Sequence, residues 1–156
     1  IDNNSFEKFN IQTSSQLHHT TQKNLFSNTK DSIHKYKIIH TPSQIIYSSK
    51  PHKYQNQYKV FISTTSNYEL IIDKCGMTQS IVFILCKSLE EAKRIKNILE
   101  CPLYVFINNI CRYGNFNNIR ILQKFPIPKI TNVNNKNIYN YFHITNKEIE
   151  YITKNL

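Results

Sequence analysis

From Tyr36 onward the hydrophobic positions of this chain fall into short runs of distinct spacing, and before it they do not. Residues 1–35 are dominated by Asn, Ser, Thr, Gln and Lys with scattered Phe and Leu, which predicts a poorly ordered arm or the remnant of a preceding domain. Ile38-Ile39 and Ile45-Ile46-Tyr47 flank Thr41-Pro42 and predict two extended pieces around a turn. Tyr58, Val60 and Ile62 alternate with Lys59, Phe61 and Ser63, the period of a strand with two unlike faces. Thr64 to Asn67 reads as a polar turn, and Tyr68 to Asp73 as the returning strand of a hairpin. After a turn at Lys74 to Met77, Ser80 to Cys86 is apolar on both faces and predicts a central strand.

The spacing then changes to that of helices. Ser88 and Glu91 have the spacing of a capping box, and Leu89, Ala92, Ile95 and Leu99 fall on one side of the helix they open, with Glu90, Lys93, Arg94 and Asn97 in water. Pro102 suits the first turn of a second helix, where its missing amide proton is no loss. Leu103 to Cys111 is apolar almost all round, so this helix is expected to be sandwiched in the core and to end at Gly114. Phe125-Pro126-Ile127-Pro128 is an extended exit, the Asn-rich run to Asn137 a linker, and Thr145 with Glu148 a further capping box flanked by Ile144 and Ile149. The expected fold class is α+β: a small antiparallel or mixed sheet packed on a helical pair over 36–128, with linker and a short C-terminal helical tail over 129–156.

At 156 residues and 40% hydrophobic content the chain has the size of one domain and can bury a real core. Its longest apolar run, Ile81 to Cys86, is far short of the roughly 20 residues that span a bilayer, and IDNNSFEKFN opens no signal peptide. A soluble, intracellular protein without a membrane partner is expected. Cysteines 75, 86, 101 and 111 show no CxxC spacing, and His18-His19 is too irregularly placed to complete a zinc set, so reduced structural thiols are expected. Twenty Lys and Arg against ten Asp and Glu give a net charge of +10, which favours a polyanionic partner. Richness in Asn, Lys and Ile also fits an AT-rich genome, in which lysine is the common polar residue, so charge alone does not decide the partner.

Four motifs follow in order: DKCGMTQS (Asp73 to Ser80), SLEEAKRIKNILECPLYVF (Ser88 to Phe106), RYGNFNNIRILQKFPIP (Arg112 to Pro128) and NIYNYFHITNKEIEYI (Asn137 to Ile152). Their order and spacing resemble the C-terminal, target-recognising part of adenine-specific DNA methyltransferases of restriction-modification systems, including forms carried by large DNA viruses. The family pattern runs GxTQ, an acidic-start helix ending in LNSKL, a GFNN turn, a closing LPxP and a tail like YxYFxLTxEEIxYI. Here LNSKL is Leu99-Glu100-Cys101-Pro102-Leu103, and the glycine has moved one place in Gly114-Asn115-Phe116-Asn117-Asn118. Thr41 to Ser49 and Tyr58 to Thr64 are similar to the family's entry strands. The resemblance implies that 36–128 is a target-recognition domain for double-stranded DNA. It also implies an upstream catalytic methyltransferase domain, in cis or in trans, that uses S-adenosylmethionine, and a location in cytoplasm, viral factory or nucleoid. With Ile1 in place of an initiating Met, it leads us to expect a fragment of a longer protein.

Catalysis is not expected of this chain alone. Two glycines, Gly76 and Gly114, cannot supply GxGxxG or a P-loop, so no cofactor is expected here. No two prolines are adjacent, whereas family methyltransferases hold the adenine amine with an Asn/Asp-Pro-Pro-aromatic turn. Asp73 with Glu91 and Lys93 offers the side-chain types of a metal nuclease, but on the solvent face of a capped helix rather than on paired strands. Recognition remains. Thr78, Gln79 and Ser80 are short polar groups between a turn and a buried strand, and Gln can pair bidentately with adenine; the alternative is a turn that caps the sheet. Arg112, Tyr113, Asn115, Asn117 and Asn118 combine a cation, an aromatic and amides, unless Asn117 or Asn118 caps a following helix. Lys50, His52, Lys53 and Lys59, interleaved with Tyr47, Tyr54 and Tyr58, fit phosphate contacts or a solvated loop, the three lysines completing the DNA-binding candidates. A non-enzymatic protein-interaction or scaffold module using the helical pair and the YNYF tail, Tyr139 to Phe142, is the alternative function.

Overall fold

The computed structural model describes residues 6–65 and 67–156, so Ser66 of the expected 64–67 turn and the first five residues of the expected arm lie outside the described residues. Among them are eight strands: β1 (Gln12–Thr13), β2 (Phe26–Ser27), β3 (Tyr36–Thr41), β4 (Gln44–Ser48), β5 (Lys59–Ser63), β6 (Leu70–Asp73), β7 (Gly76–Met77) and β8 (Ile81–Leu85). Five helices complete the α+β fold: α1 (Leu89–Leu99), α2 (Pro102–Ile110), α3 (Ile119–Leu122), α4 (Asn135–Tyr141) and α5 (Asn146–Lys154). No described helix is long and apolar enough to cross a membrane.

The strands make two four-stranded sheets where one small sheet was expected. The first runs β1-β8-β5-β6 and is antiparallel throughout; the second runs β2-β4-β3-β7, with β3 and β7 parallel. The β3–β4 hairpin is apolar on both faces, and it stacks on the first sheet instead of lengthening it. Ile39 packs with Phe61, Met77 and Phe83 between the sheets, while Ile38 and Ile46 pack outward with Leu17.

The other face of the first sheet, with Val60, Ile62, Val82 and Ile84, meets Ala92, Ile95, Ile98 and Leu99 of α1 and Leu103 and Tyr104 of α2. Being covered on both sides, β5 is buried at every position rather than presenting unlike faces. Tyr104 anchors this layer: it is 1% exposed, its hydroxyl donates to the Pro126 carbonyl at 2.6 Å, and its ring meets Phe9, Phe125 and Phe142 edge-on. The segment expected as an arm contributes Phe9 and Ile11 to this core, and the tail contributes Ile138, Tyr139 and Ile152.

Several local expectations change. The Ser88 hydroxyl accepts from the Glu91 amide at 3.1 Å, but the Glu91 carboxylate reaches past Ser88 to the amide of Lys87. Leu89 stays 36% exposed and Ile98 takes its place on the inner face. Arg94, expected in water, donates to the carbonyls of Ile130 and Thr131 and so ties the linker to α1. The second helix is not sandwiched, since α2 buries Leu103, Tyr104 and Asn108 but leaves Ile110 63% exposed. The Asn-rich linker becomes helical at Asn135 because the Asn134 side chain accepts from the Asn137 amide at 2.8 Å, an N-cap. Thr145 and Glu148 form the expected capping box in full.

Candidate nucleic-acid interface

β5 ends and β8 begins at one end of the first sheet, where Ser63 lies opposite Ile81. Just beyond, Thr64 joins two loops distant in sequence: its hydroxyl donates to the Ser80 carbonyl at 3.0 Å, and its own carbonyl accepts from the Asn117 amide at 3.0 Å. The Thr78–Ser80 turn and the Arg112–Asn118 turn, separate candidates in the sequence, thus share one end of the sheet.

The second turn is built to project. Tyr113 and Phe116 exchange backbone hydrogen bonds at 3.3 and 3.1 Å around Gly114-Asn115. Gly114 has φ +58, the left-handed conformation that a II′ hairpin turn needs at its first central position and that glycine supplies without strain. Asn117 pins the base: its Nδ2 donates to the Ser63 carbonyl at 2.6 Å, its Oδ1 accepts from Asn108 Nδ2 at 3.0 Å, and it is buried. Above that base Tyr113 is 87% and Phe116 61% exposed. Asn115 is exposed, Arg112 half-buried, and the half-buried Asn118 accepts from the Arg120 amide to cap α3. Phe116 was not among the expected residues; an aromatic flanked by Asn in a Gly-containing turn was its signal.

Three expected contacts are corrected. Lys59 is fully buried and its Nζ donates to the carbonyls of Gln57 at 2.7 Å, Lys74 at 3.0 Å and Cys75 at 2.9 Å, so it crosslinks turns instead of meeting phosphate. Burial pushes its ammonium down to about 8. Thr78 is also fully buried, bonded to His40 Nδ1 at 2.7 Å and accepting from the Ser80 amide. Asn117, as described, spends its amide inside the protein.

Gln79 and Ser80 are half-buried. Gln79 Oε1 accepts from the His19 amide at 3.2 Å, and the His19 ring stacks on His40 with centroids 4.2 Å apart. Burial, with His19 alongside, holds His40 below the usual histidine range. Lys50 and Lys53 are exposed, Lys53 with its Nζ 4.7 Å above the Tyr54 ring, and Lys74, which sequence reasoning passed over, sits 4.5 Å above Tyr58 in the same way. The nuclease candidates serve different elements, Asp73 holding Lys37 at 2.8 Å and the amides of Lys74 and Cys75, and Glu91 closing α1.

One further pair has the look of chemistry. Ser14 Oγ lies 2.7 Å from His52 Nε2, both residues buried. A histidine that activates a serine must accept at that nitrogen. Here His52 Nδ1 accepts from the Tyr54 backbone amide at 3.1 Å, an amide that can only donate, so the ring's proton sits on Nε2 and is given to Ser14. This tautomer cannot take the serine proton, and the pair is structural. No protein-family model, curated protein or solved structure matches the chain.

Proposed function

We propose that the chain is the DNA-recognition portion of an adenine-specific restriction-modification methyltransferase, which holds DNA while a separate S-adenosylmethionine-using domain performs the methyl transfer. The observation that carries the DNA-binding part is the Arg112–Asn118 turn. Two aromatic rings stand in water on a short turn whose base is pinned by a buried asparagine, with Arg112 and Arg120 in the same stretch. Exposed apolar rings held rigidly beside cations are what base stacking or insertion between base steps requires. The net charge of +10, with Lys50 and Lys53 exposed, supplies the sequence-independent phosphate attraction. The parentage rests on the collinear motifs alone.

A different observation favours the interaction-module reading. An apolar groove of about 310 Å³ lies between α2 and α5, lined by Leu103, Phe106, Ile107, Ile144 and Tyr151 among others, with Ile110 exposed on α2. Binding of a fluorescent DNA duplex separates the two. A Tyr113→Ala/Phe116→Ala variant is expected to bind at least about thirtyfold more weakly, since base stacking is worth about 1–3 kcal/mol per ring and two rings are lost, with an unchanged circular dichroism spectrum. Equal affinity of variant and parent would remove the turn from the interface, and no duplex binding by the parent chain would favour the groove.

A further inference from the structure

Beside β1, a cavity of about 190 Å³ that shares no lining residue with the aromatic turn is lined by Gln12, Thr13, Ser14, Ser15, Gln16, His52, Lys53, Tyr54 and Phe83. Its hydrogen-bonding sense is fixed by the protein around it. Ser14 Oγ accepts from His52 Nε2 at 2.7 Å, because the Tyr54 amide occupies Nδ1, and also from the Gln16 amide at 3.3 Å. Both lone pairs are then in use, so the Ser14 hydroxyl has only its proton left to offer. Gln16 Oε1 accepts from the Lys53 amide at 2.9 Å, which uses one of its two lone pairs and fixes the side-chain amide with its Nε2 protons as the donors it offers. Lys53 adds an ammonium, and among the described residues no Asp or Glu lines the cavity. A hydroxyl proton, an amide NH2 and an ammonium together make a site that offers donors and positive charge.

We propose that this cavity is a phosphate-binding subsite, taking a phosphate group and the start of its ester. It is smaller than the roughly 300–1,000 Å³ of pockets that enclose drug-sized ligands, which fits an anion rather than a whole cofactor. Charge-assisted bonds to phosphate oxygens are the strong ones, and Ser, Gln and Lys are all among the side chains that contact nucleic-acid phosphates. The phosphate is that of a nucleotide, either terminal or within a strand; this choice rests on the DNA-binding reading, whereas the anion chemistry does not. His52 stays a neutral donor near neutral pH because burial, with Lys59 and Lys53 adding to it, pushes it down to about 4.

Amide resonances of Ser14, Gln16 and Lys53 in the whole chain report the site directly. Inorganic phosphate and thymidine 5′-monophosphate are expected to shift them saturably, and thymidine, which lacks the phosphate, to leave them in place. Lys53→Gln, at an exposed position that leaves the fold intact, is expected to weaken the phosphate response about tenfold, as for loss of a hydrogen bond to a charged group. Ser14→Ala should weaken it as well, with its melting temperature measured alongside because His52 loses its acceptor. Duplexes with and without a 5′-phosphate tell the two sources apart: shifts with both point to a backbone diester, and shifts with the phosphorylated duplex alone to a terminal monoester. Absence of saturable shifts with phosphate and the nucleotide, or an undiminished response in Lys53→Gln, would overturn the subsite. If duplex DNA binds while these amides stay still, the subsite fails and the DNA reading stands; if phosphate binds and duplex does not, the reverse holds.

Discussion

Lys53 and Lys59 belong to one basic stretch and have opposite surroundings, exposed over Tyr54 in one case and enclosed by three carbonyls in the other. Sequence placed both with the phosphate contacts because it shows charge but not which strand will be covered on two faces. Thr78 and Asn117 were misplaced for the same reason, as their polar groups satisfy buried backbone and side-chain partners that only the fold supplies. The turn that exposes Tyr113 and Asn115 was signalled by Gly114. The buried His52 carries a pH dependence that could not be read from sequence. Its folded pKa of about 4 lies below its ordinary value of 6.5, so the native state binds the proton more weakly than the unfolded chain. His52's contribution to stability is therefore complete above about 6.5 and is lost as the pH falls toward about 4, and the lowered pKa of His40 acts in the same direction. The urea midpoint is expected to fall between about pH 7 and about pH 5, and to fall less in His52→Asn. A midpoint that holds constant over that range would contradict the buried, neutral imidazole.

At the scale of elements, the strands from Tyr36 and the paired helices α1 and α2 were legible because their apolar spacing is regular and their ends carry Ser88 and Pro102. What escaped was short or tertiary. β1 spans Gln12–Thr13 and exists by pairing with β8, and β7 spans Gly76–Met77 beside β3. Gly76 fits there because a Cβ would come within 2.6 Å of Ile38 Cδ1 and 2.7 Å of His52 Cβ, a close approach no periodicity reveals. The join between α4 and α5 was equally hidden. His143 has φ 55, its amide donates to the Asn140 carbonyl at 3.2 Å, and the Ile144 amide donates to Tyr139 at 2.9 Å, the pair of bonds that defines a Schellman ending. Glycine is the usual residue at that position, since a side chain in the left-handed region costs about 1–2 kcal/mol. His143→Gly is therefore expected to raise stability by up to about 1 kcal/mol, the unfolded chain's added freedom offsetting part of the relief. Chemical denaturation checks it, and a loss of stability would show that the imidazole itself holds the tail in place.

Across the whole molecule, the α+β class was legible but the second sheet was not, because a hairpin apolar on both faces gives no sign of whether it will extend a sheet or stack on one. That stacking gives the first sheet a double covering, buries Lys59, and leaves the end of the sheet at Ser63 as the place where Thr64 gathers the two polar loops. If, as proposed, a basic chain with projecting aromatics grips DNA, its affinity for duplex DNA falls across a rising salt series. Neutralising three to five phosphates corresponds to a slope of log K against log salt of roughly −3 to −5. Lys53→Ala is expected to make that slope shallower by about 1, and Tyr113→Ala/Phe116→Ala to lower affinity while leaving the slope unchanged. Duplex binding that is absent at low salt, or that does not respond to salt, would contradict the claim.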